Sequence, residues 1–248
     1  MKIIGLKELM SITKKYHSPT KLVLNYVSSL IRPGAKVLEI GPGFEPFEKA
    51  THFCGWTDEE GLRLKNYTKA NVSEDKLPYA DKEFDFVYLR HVIEDLWNPI
   101  HCLNEISRIA KEGWIETPSP LCEMTKGVDG QENFDAPWRG YAHHRYIVWN
   151  NNETLKILPK FPMVDFYTNF NQAKLEELLK HYFNWGTYYH FKDKVNYKLL
   201  QMGREADFNF INYSYNDTIV KAIEEGFAQN NKMLERVEQY EKLNRNNV

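Results

Sequence analysis

The stretch that decides the fold is Lys36-Val37-Leu38-Glu39-Ile40-Gly41-Pro42-Gly43. Its short, mostly apolar run reads as a buried strand, and it ends in a turn where glycine frees the backbone. A glycine turn at the carboxyl end of a first strand is where open α/β sheets bind ligands. Upstream, residues 6–31 carry helical spacing through Leu22, Val23, Tyr26, Val27 and Leu30 after the Ser18-Pro19 start signal, and Pro33-Gly34 ends the pattern. Downstream, short strands are expected over 51–56 and 67–72, and a strong one over 84–89. An amphipathic helix follows over 99–110 with Ile100, Leu103, Ile106 and Ile109 on one face, then a strand over 114–117. Strands alternating with helices require crossover connections, so the fold class is α/β with a mainly parallel sheet.

The sheet pattern resumes late. A helix is expected over 172–183, then two strands over 185–191 and 197–202 joined by the polar turn 192–196. A helix over 217–243 carries Val220, Ile223, Phe227, Leu234 and Val237 on one stripe. Between strand five and this late group, residues 118–170 form an excursion rich in Pro, Trp and His, with a hairpin expected around Asn150-Asn151-Asn152. A run of that length inside a compact domain is usually functional. The whole chain, 1–248, therefore reads as one domain with an inserted cap at 118–170 and a C-terminal helix at 217–243.

Hydrophobic residues make up 42% and charged residues 27% of the 248, enough apolar material for a sizeable core and too much for a disordered chain. The 32 basic and 34 acidic residues leave a net charge of -2, so no polyanion field points to a nucleic-acid or membrane-surface partner. A small, roughly neutral substrate is expected instead. Cys54, Cys102 and Cys122 have neither an even count nor Cys-x-x-Cys spacing, which argues against disulfides and zinc knuckles and fits a reducing compartment. With neither a signal-peptide core nor an 18-residue apolar span in the sequence, the expected location is cytoplasmic. Aromatic residues reach 14%, and Trp138, Tyr141, Tyr146 and Trp149 concentrate in the insertion, where they read as a wall for an acceptor.

The glycine turn lacks the third glycine of a dinucleotide fingerprint, and only eight residues separate Gly43 from His52, too few for a full crossover helix. A pyrophosphate would lose the helix N-terminus that normally stabilises it, which disfavours NAD(P) and an oxidoreductase.

Beyond the turn lie Leu77-Pro78-Tyr79-Ala80-Asp81-Lys82-Glu83-Phe84-Asp85 and His91-Val92-Ile93-Glu94-Asp95. With V-L-E-I-G-P-G at 37–43, these segments resemble the class I S-adenosylmethionine-dependent methyltransferases, in the type 11-like group with an L-P-F-x-D-x-x-F-D segment and an H-V-L-E-H segment. The resemblance covers about residues 35–120. It implies a Rossmann-like seven-stranded sheet with an antiparallel final strand, and S-adenosyl-L-methionine as cofactor over the first two strands. Carried over, Glu39, Gly41, Pro42 and Gly43 would meet the methionine and ribose parts. Asp58 would accept the ribose hydroxyls, with Glu59 or Glu60 as alternatives, and Asn71 beside Val72 would accept the adenine amino group. Arg90, which with Val72 is also assigned to the cofactor, and His91 would stand at the carboxyl edge of strand four.

Substrate choice falls to the insertion. Arg139 and Arg145 suit a carboxylate or phosphate group, Tyr141 adds an aromatic surface, and His143 or His144, with His91, is the candidate general base. In an extended segment adjacent side chains alternate, so His143 and His144 are expected to face opposite ways. That expectation argues against a two-histidine metal site, and no metal ligand is assigned; one histidine with Glu116, Glu123 or Asp129 is the alternative. A sugar hydroxyl needs a base, and rings stack on pyranose faces, so O-methylation of a carbohydrate is the expected reaction. The resemblance links it to surface-glycan or capsule polysaccharide biosynthesis. The rivals are methylation of a carboxylate or phosphate-type oxygen on a small metabolite, and a non-catalytic partner subunit. The expected partners are a small-molecule or glycan substrate and a second copy docked through the C-terminal helix.

Overall fold

Val37–Ile40 forms β1, buried along its length because it lies in the middle of a sheet. The computed structural model describes residues 20–129, 138–162, 164, 170–200 and 213–245. The start of the helix expected at 6–31, the end of the strand expected at 197–202, and cap residues 130–137, 163 and 165–169 lie outside them.

Helix α1 (Lys21–Leu30) begins where the Thr20 side chain accepts the Val23 N–H, and it buries Val23 and Val27. After β1 come β2 (His52–Gly55), α2 (Asp58–Arg63), β3 (Tyr67–Lys69), β4 (Phe86–Arg90), α3 (Pro99–Ile109) and β5 (Glu112–Pro118). Asn98 caps α3 and Pro99 opens it, and its buried face carries Cys102, Leu103, Ile106 and Ile109. The main sheet runs β3-β2-β1-β4-β5-β8, with β1 to β5 parallel and β8 (Gly186–Lys192) antiparallel to β5. This is a Rossmann-like α/β sheet whose order reverses at β1, which puts the ligand crevice at the carboxyl ends of β1 and β4.

The insertion supplies α4 (Pro120–Met124) and an antiparallel hairpin of β6 (Tyr146–Asn151) and β7 (Thr154–Pro159). The chain then continues through α5 (Gln172–Leu179) and a short 3-10 turn (Tyr182–Trp185) into β8.

Two expectations need correction. The strands around 192–196 do not form a hairpin: β9 (Tyr197–Leu199) pairs in parallel with β7, making a second sheet β6-β7-β9. The main sheet accordingly has six strands among the described residues, where seven were expected. The cause lies in the turn, which is pinned to the cap. The Asn196 carbonyl accepts the Leu155 N–H at 2.8 Å and the Tyr189 hydroxyl at 3.2 Å, while Asn196 N–H donates back to Tyr189 Oη at 3.0 Å.

The last helix, α6 (Tyr213–Arg245), lies on the chain's own elements. It buries Tyr215, Ile219, Ala222, Asn230, Met233 and Val237 against β6, β8, α1 and α4. Of the stripe expected on this helix, Val237 is buried, Ile223 and Leu234 are half-buried against the chain's own core, and Val220 faces solvent.

Candidate active site

The turn after β1 is shaped by Gly41, whose φ of +70° favours glycine and whose absent Cβ would fall 2.6 Å from Val92 Cγ2. That close approach seats the segment after β4 directly against the glycine turn. Glu39 is buried and accepts the Phe47 N–H at 2.8 Å, so it ties down the far end of the same loop. Burial pushes its carboxyl up to about 8, against the opposing effect of the Phe47 hydrogen bond and Arg90. A second clamp comes from α2. Glu60 Oε1 accepts the Gly43 N–H at 3.2 Å, and the Arg63 guanidinium donates to the Gly43 carbonyl at 2.9 Å and lies over the Phe44 ring.

Asp58, expected to accept the ribose hydroxyls, is exposed and takes both its contacts from Lys69 Nζ at 2.9 Å. Glu60, named beforehand only as an alternative, is the carboxylate lying between the ends of β1 and β2, where its Oε2 also accepts from Tyr67 Oη at 3.0 Å. The sequence signal was present: Thr57-Asp58-Glu59-Glu60 is a capping box, which predicts both α2 and the inward turn of Glu60. Asn71 accepts the Ser73 N–H through Oδ1 at 3.1 Å, and Val72 beside it is buried. A permissive glycine turn, a carboxylate at the end of β2 and an amide after β3 have the chemistry that an adenosyl group with a methionine tail requires. Open space lies where a Cβ on Gly43 would be.

Beyond the turn, the carboxyl ends of β4 and β5 hold a cluster of titratable groups. His91 stands at φ +54°, its N–H donating to the Glu116 carbonyl at 2.9 Å and its Nδ1 lying 3.1 Å from Glu94 Oε1. Burial lowers the His91 imidazole to about 4 and raises Glu94 to about 7. Glu116 is buried as well, and burial raises it; His91 and Arg90 are the nearby groups that favour its charged form.

The cap closes on this cluster. His144 is buried, with Nδ1 at 2.6 Å from Glu123 Oε1, and Lys160 Nζ donates to Glu123 Oε2 at 2.7 Å. Burial disfavours both charges, yet the pairing wins: Lys160 and His144 hold Glu123 down to about 2, and Glu123 raises His144. His143 is 62% exposed, and its Nε2 and that of His144 each lie 3.8 Å from the same Asp95 Oδ1.

The expected alternation of the two histidines fails. Residues 141–144 form a turn closed by His144 N–H to the Tyr141 carbonyl at 3.3 Å, and a turn brings neighbouring side chains to one side. Glu123 entered the sequence reading only as an alternative metal ligand and Glu94 only as part of the His91-to-Asp95 segment, while Lys160 was not singled out and apart from its charge nothing in the sequence marks it.

The substrate residues expected in the cap sit mostly inside it. Arg139 is buried, with Nη1 donating to the Met124 carbonyl at 2.7 Å and its guanidinium over the Phe170 ring. Tyr141 is buried with its ring against His144, and Trp149 is buried with Nε1 on Glu225 at 2.7 Å. The aromatic wall is largely core packing. Arg145 donates to the Asp95 carbonyl at 3.0 Å and stacks 3.7 Å over the exposed Trp97 ring.

Residues 26–115 match the family model described as a methyltransferase domain. Among solved structures, the YcgJ protein from Bacillus subtilis is 19% identical over 40% of this chain and 50% of its own, with a TM-score of 0.31. An S-adenosylmethionine-dependent methyltransferase from Mesorhizobium loti is 14% identical over 42% of this chain and 55% of its own, with a TM-score of 0.34. The chain thus spans about half the length of these two. A chain of the complex between the Haloferax volcanii Trm112 methyltransferase activator and a methyltransferase is 13% identical over 76% of this chain and 95% of its own, with a TM-score of 0.44. No curated protein matches in sequence. The matched residues run from within α1 to β5 and build the sheet order β3-β2-β1-β4-β5, so this part of the chain is similar to a methyltransferase domain.

Proposed function

We propose that the chain methylates a hydroxyl of a neutral acceptor, a carbohydrate, with His91 as the general base. The carrying observation is the seat of His91: it precedes Val92, which fills the space beside Gly41, and its Nδ1 faces Glu94. S-adenosyl-L-methionine, the cofactor implied by the methyltransferase-domain match, would supply a sulfonium methyl that is already activated, leaving the chain to position the acceptor oxygen, take its proton and exclude water. An imidazole whose Nδ1–H donates to a carboxylate presents Nε2 as the acceptor, and burial keeps His91 uncharged at neutral pH. His91 Nε2 would take the hydroxyl proton of the acceptor during methyl transfer. Glu39 and Glu60 would hold the glycine turn and the ribose.

A neutral acceptor is favoured over a carboxylate or phosphate-type oxygen because Glu94, Asp95, Glu116 and Glu123 surround the cluster. The arginines proposed for an anion are also committed elsewhere, Arg139 to Met124 and Arg145 to Trp97 and Asp95. The exposed Trp97 offers a flat apolar surface of the kind a pyranose ring uses, which suits a sugar from surface-glycan or capsule synthesis.

His91→Ala should lower turnover by about a hundred- to ten-thousand-fold. Binding of S-adenosylhomocysteine, read by calorimetry, should change little. Near-normal turnover in this variant would refute the role of His91, and failure of the wild-type chain to bind S-adenosylhomocysteine would refute the enzyme reading altogether.

A further inference from the structure

We infer that Asp95, His143 and His144 form a binding site for a divalent transition-metal ion that ties the cap to the main sheet. One carboxylate oxygen and one ring nitrogen from each histidine lie within 4.8 Å of one another. The ligands come from two places in the chain: Asp95 follows β4, and the histidines sit in the turn before β6.

An ordinary ion-pair explanation leaves something over. Both imidazole nitrogens stand 3.8 Å from Asp95 Oδ1, beyond hydrogen-bond reach, and that oxygen is buried without a hydrogen bond. A buried carboxylate oxygen in that condition is costly unless something else meets it. A tetrahedral ion with bonds of 2.0–2.1 Å sets its ligand atoms about 3.3 Å apart. Closing from separations of at most 4.8 Å takes a shift of under about 1 Å by each group, and the His143 side chain, 62% exposed, has room to make it.

The second observation lies behind His144. A metal-binding histidine almost always gives its other nitrogen to a carboxylate, which fixes the tautomer and aims the ring. Glu123 does this for His144 at 2.6 Å, and Lys160 holds Glu123 in turn. That leaves His144 Nε2 as the lone-pair nitrogen pointed toward Asp95. Two imidazoles and one carboxylate favour zinc, cobalt or nickel over magnesium or calcium, and three protein ligands leave a position for water or an acceptor oxygen. The inference does not depend on which acceptor is methylated.

The test is calorimetric titration of the untagged full-length chain, stripped by chelator, with Zn2+ and separately Co2+, the latter also followed by its visible absorption. One equivalent should bind with micromolar or tighter affinity. Asp95→Asn and His143→Ala should each weaken binding at least tenfold, while His181→Ala, an exposed histidine outside the cluster, should leave it unchanged. The wild-type unfolding temperature should rise with metal and that of His143→Ala should not. Because His143 is exposed, its loss does not threaten the fold. Absence of saturable binding, or equal binding by wild type, Asp95→Asn and His143→Ala, would overturn the inference. Titration with S-adenosylhomocysteine in the same samples reads the cofactor site separately, so failure of either proposal is distinguishable.

Discussion

Glu39, which the resemblance would set against the cofactor, ties the loop after the glycine turn to β1. The sequence marks it as a charge inside a buried strand; the structure gives it the Phe47 N–H and very little water. Its carboxyl is raised from 4.5 to about 8, so the folded state holds a proton that the unfolded chain releases. Stability from this group is full below about pH 4.5 and is lost as pH rises through 8, with a slope of at most about 1.4 kcal/mol per pH unit. Glu39→Gln, which stays neutral and still accepts the Phe47 hydrogen bond, should flatten the decline in unfolding temperature between pH 5 and pH 8. Parallel curves for wild type and variant would show that Glu39 is ionised throughout. At this scale, residue types were legible and partners were not. The sequence singles out His143 and His144, but their convergence depends on a turn, and their partners Glu123 and Asp95 lie far away in the chain.

For elements, hydrophobic period located nearly every strand and helix of the main sheet, because each buries one regular face. Helix α6 shows the limit of that signal. The expected stripe ran through Val220, Ile223, Phe227, Leu234 and Val237, whereas Ile219, Ala222, Asn230 and Met233 are the buried positions with Val237. On the buried face, Ala222 and Asn230 share the contact with the larger Tyr215, Ile219, Met233 and Val237. A Cβ on Gly226 would sit 3.4 Å from Pro120 and 3.6 Å from Trp149, and Asn230 donates to the Gly186 carbonyl at 2.6 Å. Ala222→Asp, placing a charge on this face, should cost on the order of 3 kcal/mol in denaturant unfolding. Val220→Asp should stay within about 0.5 kcal/mol and leave the mass in light scattering unchanged. If Val220→Asp instead halves that mass, the exposed side of the helix is a subunit interface after all.

In the whole molecule, the cap is part of the core. Val148, Leu155 and Ile157 of the cap share one apolar cluster with Leu89, Ile106 and Ile115 of the main fold. Polar ties run beside them: Thr187 Oγ1 donates to the Val148 carbonyl at 3.0 Å, and Arg145 N–H to the Glu94 carbonyl at 2.8 Å. Unfolding should therefore be one cooperative transition, with calorimetric and van't Hoff enthalpies equal. Two resolved heat-absorption peaks would mean that cap and sheet are separate units. The parallel core was legible because its crossovers follow a local rhythm. The second sheet was not, since a parallel pairing between strands some forty residues apart leaves no turn signal.

That pairing bears on how acceptor preference could be exchanged between proteins of this kind. The strand that completes the cap sheet, β9, is encoded beyond β8, after the chain has already returned to the main sheet. Transplanting residues 118–170 alone into a related scaffold would strand β7 with an open edge, and an open edge invites association with other chains. The smallest transferable cassette is the whole stretch from the end of β5 through β9, with β8 inside it, so a new acceptor specificity has to arrive together with a strand of the host sheet.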